Sequence, residues 1–142
     1  MKYLYIAFLA GSLIAIPSLG YAQQQTEEIG KREYFSNCAI CHGNMGKGDG
    51  PYNSLLRKPA ADLTEIQKKN MGVFPFDRIY QVIDGRADVA AHGSRDMPIW
   101  GDRFKREAIG YFGIITTPHR VDSLLRGRIL ALVGYIYTLQ AK

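Results

Sequence analysis

One small domain with helical segments is what this sequence predicts first, and three observations predict it. The chain has 142 residues, enough for one domain and hardly for two. A helix start stands at Thr26, where a capping hydroxyl is followed by Glu27 and Glu28 in the expected first turn. A helix-like run extends from Phe76 to Ile83, and no strand-rich segment precedes the chain's two cysteines, Cys38 and Cys41.

The first stretch stands outside that fold. Lys2 supplies a short positive region, an apolar run follows from Leu4 to Ile16, and Pro17 then breaks any helix. Gly20-Tyr21-Ala22 places small residues where a signal peptidase reads them. This is the anatomy of a secretory signal. Residues 1–22 are therefore expected to be removed, leaving 23–142 as the mature domain in the periplasm. The apolar core is shorter than the ~20 residues that span a bilayer, which disfavours an uncleaved membrane anchor. The 120 residues left would carry 17 basic and 13 acidic side chains. A domain of that size buries about two-thirds of its unfolded surface, enough for a core. Basic residues are scattered, and no basic stripe with interleaved aromatics marks a nucleic-acid partner. A solvated surface is the plainer reading of those charges, and a docking patch for an acidic partner the alternative.

Both cysteines fall in one pentapeptide, Cys38-Ala39-Ile40-Cys41-His42. Positions i and i+3 share a face of a helical turn, so both sulfurs reach one edge of a flat ligand. A porphyrin with two vinyl groups offers such an edge, and the adjacent histidine can then ligate the iron. This is the attachment signature of a c-type haem, one per chain and covalent. The rivals are weaker. A thioredoxin-like pair needs a flanking βαβ pattern, and a structural zinc site needs four ligands. After His42, Gly43, Gly46, Gly48 and Gly50 predict a loop. A phosphate cradle would need a preceding strand and a Gly-Lys-[Ser/Thr] ending, and both are missing. A backbone wrapping closely around the haem edge is expected instead.

The opposite side of the iron needs a second ligand or stays open. Met45 is too near the attachment site, because the chain must cross to the far face. Met71 lies in Asn70-Met71-Gly72, and core filler is the ordinary role of such a methionine. His92 and His119 lie in polar loops. Met97 is the candidate, because Pro98 fixes the backbone and denies the α region to the residue before it. A stiff extended loop holds a thioether in place at small entropy cost. Methionine opposite histidine raises the reduction potential.

These residues resemble the class I c-type cytochromes over nearly all of the expected mature chain. The resemblance runs through Gly30-x3-Tyr34, the pentapeptide with Gly43, Gly46-Lys47-Gly48-Asp49-Gly50-Pro51, and Pro59-Ala60-Ala61-Asp62-Leu63-Thr64. It continues in Met97-Pro98-Ile99-Trp100-Gly101 and a C-terminal helix with Leu132-Val133-Gly134-Tyr135. It implies an all-α class I cytochrome c fold: first and last helices crossing at a small residue, with short helices and loops round one haem. Gly30 would then let Leu132 and Tyr135 approach. The resemblance also implies that the Pro51 carbonyl accepts a hydrogen bond from the far ring nitrogen of His42. It makes Trp100 and Arg95 candidates to shelter the haem propionates. About a dozen residues between Phe104 and Val121 depart from it, and their apolar face is open to being extra core or a docking surface.

With His42 and Met97 on the iron, no site is left for a small-molecule substrate, and the chain is expected to carry single electrons rather than catalyse. It would act as a soluble shuttle or as the cytochrome subunit of a periplasmic dehydrogenase. Its partners would be redox proteins, a dehydrogenase as donor and an oxidase or another cytochrome as acceptor. The alternative is a peroxidase-like haem enzyme or gas sensor, which requires Met97 to be labile or absent from the iron.

Overall fold

The computed structural model describes residues 18–85, 97, 100–112 and 117–141. His92, Arg95, Pro98, Ile99 and most of the expected leader lie outside them. The described residues form helices and turns with no strand. Helix α1 spans Ser18–Asn37, α2 Ala39–His42, α3 Ile66–Lys69, α4 Phe76–Asp84, α5 Trp100–Phe112 and α6 Pro118–Thr138. Two 3-10 turns, Asn53–Leu55 and Leu63–Glu65, break the connection between α2 and α3.

Thr26 does not start a helix. The chain enters α1 at Ser18, and the Thr26 hydroxyl donates to the Ala22 carbonyl one turn back, 3.0 Å away. A threonine with helix on both sides bonds its own backbone in this way and loses its capping role. Residues 22–28 are exposed, so packing of α1 begins near Ile29 and Gly30.

Helix α6 starts as its sequence dictates. Thr117 is extended and accepts from the Arg120 amide, and Pro118 fills the first helical position. Leu125, Ile129, Leu132, Val133 and Ile136 recur at three- and four-residue intervals and are buried, the stripe expected of a helix lying on a core. α1 crosses this face at Gly30. A Cβ there would collide with the Ala131 carbonyl and stand 3.0 Å from the Tyr135 Cβ. The close approach at Gly30 is thus to Ala131 and Tyr135, with Leu132 buried beside them in the core.

The stretch between Phe104 and Val121 is mostly helical. Trp100, Phe104 and Ala108, four residues apart, are the buried stripe of α5. Ile109 and Tyr111 point outward, and residues 113–116 lie outside the described ones. The C-terminus is strapped to the middle of the chain. Gln140 donates from Nε2 to the Leu63 carbonyl at 2.7 Å and accepts from the Gln67 amide at 2.9 Å. The Ala141 amide bonds the Thr64 carbonyl at 2.8 Å.

Candidate cofactor site

The pentapeptide forms one closed turn. The Cys38 amide continues the α1 ladder to the Tyr34 carbonyl at 2.8 Å, and the Cys38 carbonyl accepts from the amides of Cys41 and His42. Both thiols are free and half-buried. Burial, then Glu33 and Cys41, push the Cys38 thiol up to about 12. Redox-active cysteines rest on a lowered value, and the shift at Cys38 runs the other way.

A four-residue helix leaves its last carbonyls without internal partners, and the glycine loop supplies them. Amides of Gly43, Tyr52, Gly50 and Gly48 bond the carbonyls of Ala39, Ile40, Cys41 and His42 in that order, at 2.8 to 3.1 Å. Gly43 has φ of 78°, and a Cβ there would collide with the Asp49 carboxylate. The Tyr34 hydroxyl, buried inside, donates to the Gly43 carbonyl at 2.6 Å. Burial pushes its pKa far above the usual tyrosine value, so it stays a donor.

His42 Nδ1 donates to the carbonyl of Ala61 at 2.9 Å. This corrects the expectation for Pro51. The amides of Gly50 and Tyr52 tie that segment to the backbone of Cys41 and Ile40, which leaves Pro51 exposed on the flank of the turn. Three bonds place Ala61 instead: the Ala60 amide to Asn53 Oδ1 at 2.7 Å, the Leu63 amide to the Gly46 carbonyl at 2.6 Å, and the Thr64 amide to Asp62 Oδ1 at 2.8 Å. A carbonyl only accepts, so Nδ1 is the donor of this bond and Nε2 is the ring nitrogen left for a ligand, the arrangement a metal-binding histidine uses.

Met97 is half-buried and packs on the core, as do Cys38, Leu63, Ile79 and Tyr80. Met45 is 65% and Met71 94% exposed. His119 is exposed in the first turn of α6. Trp100 is buried at the start of α5, its ring 6.0 Å from Phe104 and the Arg103 guanidinium 5.1 Å above it. No group of three or more His, Cys, Asp or Glu among the described residues is arranged to hold a bare metal ion. Two thiols on one turn, a histidine with Nε2 free, and a thioether among half-buried apolar side chains fit a flat apolar group carrying iron.

Ala61, Glu33 and Arg128 were not singled out as functional from sequence. A backbone carbonyl carries no side-chain signal, although Ala61 lies in the Pro59–Thr64 run. Glu33 and Arg128 are 95 residues apart and meet only in the fold.

A family model described as cytochrome c oxidase, cbb3-type, subunit III matches residues 25–110, more than half of the chain. The matched span holds the pentapeptide turn, the glycine loop, Met97 and most of α5. Comparisons with curated proteins and with solved structures returned no match.

Proposed function

The chain belongs to the family of c-type cytochrome domains described as cytochrome c oxidase, cbb3-type, subunit III, and from that premise we propose that it carries single electrons on one covalent haem c in the periplasm. The haem iron supplies the chemistry, a change of one charge. Cys38 and Cys41 would hold the group by thioethers, and His42 and Met97 would ligate its iron. The observation that carries this reading is the attachment turn itself, with Nε2 of His42 left free by the bond to Ala61. Support for Met97 is its place against the same core as Cys38, where Met45 and Met71 face outward.

The chain's own residues would do three things for the centre. The bond from Nδ1 fixes the ring plane of His42 and raises its basicity. Leu63, Ile79 and Tyr80 pack on the same core as Cys38 and Met97, and an apolar surround built from them would disfavour the extra charge of the oxidised form. Ile40, between the two cysteines, is exposed, and partners would dock on that side in small, transient encounters. A dehydrogenase would be the donor and an oxidase or another cytochrome the acceptor; the oxidase in the family's description favours the second half of that route. The chain would serve as a soluble shuttle or as a dehydrogenase's cytochrome subunit, exported by residues 1–22 and cut after Ala22.

Mass spectrometry and a haem stain on a denaturing gel test this together. The account expects a chain beginning at Gln23 with one haem that stays attached when unfolded. A chain free of haem on the gel contradicts attachment, and one beginning at Met1 contradicts cleavage.

A further inference from the structure

Arg128 of α6 stands where three helices meet. Its guanidinium grips the Glu33 carboxylate of α1 with two hydrogen bonds, Nε to Oε1 and Nη2 to Oε2, both 2.9 Å. Nη2 also donates to Glu107 Oε2 of α5 at 3.0 Å, and Glu107 accepts from Arg103 Nε at 3.0 Å. The guanidinium carbon lies 4.1 Å from the centre of the Phe104 ring. Asn37 Nδ2 adds a donor to Glu33 Oε2 at 3.2 Å. The Glu33 side chain is 10% exposed and that of Arg128 19%, so salt screens this pair weakly.

The pair's place gives it a reach beyond packing. Glu33 lies in the last turns of α1, five residues before Cys38, whose amide continues the ladder of that helix into the pentapeptide turn. On the other side, α5 begins three residues after Met97, and its Trp100 stacks toward Phe104. Arg128 therefore joins the helix that leads into the attachment turn to the helix that leads away from Met97.

We propose that Arg128 is a positioning residue for the electron-carrying centre, setting its reduction potential by neutralising Glu33 beside the attachment turn. The inference rests on the covalent attachment proposed above. An uncompensated anion near the centre favours the oxidised, more positive form, and removal of an anion favours the reduced form. Glu33 and Arg128 therefore act with opposite signs on one equilibrium.

Four haem-loaded variants test this: Arg128→Gln, Glu33→Gln, the double variant and Arg128→Lys. The readout is the ratio of reduced to oxidised protein at the ambient potential that leaves the wild type half reduced. Arg128→Gln is expected to lower the ratio about threefold or more, and Glu33→Gln to raise it by a similar factor, the scale of one charge acting through protein and water. The double variant should return toward the wild type, and Arg128→Lys should stay near it. Single variants that shift the ratio in the same direction, or not at all, overturn the proposal. If Arg128→Gln does not fold, an unraised ratio in Glu33→Gln overturns it alone. A haem stain on a denaturing gel separates the two readings. Wild-type chain without haem overturns attachment and this proposal with it, while attached haem with unshifted ratios overturns this proposal only.

Discussion

Asp62 shows how a residue twenty positions from His42 in sequence holds that histidine in place. Its carboxylate caps the second 3-10 turn by accepting from the Thr64 amide and hydroxyl, at 2.8 and 2.7 Å, and so fixes the adjacent Ala61 carbonyl on His42. Those hydrogen bonds, led by the one from the Thr64 hydroxyl, hold its pKa below the usual aspartate value. A lowered folded value means that the charged form stabilises the fold. The contribution is complete above the unfolded value of about 3.9 and is lost as pH falls through the lower folded value. Asp62→Ala should cost about 1 kcal/mol, the usual scale of a lost cap. Denaturant midpoints check it, with a difference from wild type that shrinks below about pH 4. Tyr34→Phe removes the donor to the buried Gly43 carbonyl and should cost about 1–3 kcal/mol, read the same way.

At the scale of elements, the crossing of α1 and α6 carries the fold. Gly30→Ala places a methyl group against the Ala131 carbonyl and should destabilise by about 1–3 kcal/mol. Thermal unfolding of the haem-loaded protein checks it, and an unchanged midpoint would mean that the helices cross elsewhere. This crossing was legible through the resemblance to class I c-type cytochromes, which Gly30-x3-Tyr34 helps to carry. Its partner was legible only to within one residue, since the facing atom is a backbone carbonyl of Ala131. The glycine loop was legible as a loop, but its task was not. Its amides cap the carbonyls of a four-residue helix, a need that appears once α2 is known to be short. The start of α1 was misread for a related reason. Thr26-Glu27-Glu28 has the composition of a cap whether or not helix precedes it, and composition does not show where Ser18 enters. The histidine's partner was displaced from Pro51 to Ala61 by the bonds from the Ala60 amide to Asn53 Oδ1 and from the Leu63 amide to the Gly46 carbonyl, which join segments seven and seventeen residues apart. The Glu33–Arg128 clamp was invisible because neither residue belongs to a motif.

At the scale of the molecule, Cys38 of the pentapeptide turn, half-buried Met97 and the apolar Leu63, Ile79 and Tyr80 all pack on one helical core, which would suit a centre that changes charge without binding substrate. That account depends on Met97 closing the far side of the iron. The visible spectrum of the oxidised, haem-loaded protein tests it most directly, taken with and without cyanide and compared with Met97→Ala. The account predicts a weak band at the red end of the wild-type spectrum, slow cyanide binding, and loss of the band with fast binding in Met97→Ala. A wild type that lacks the band and binds cyanide at once would contradict the electron-carrier account and favour an open-site haem protein.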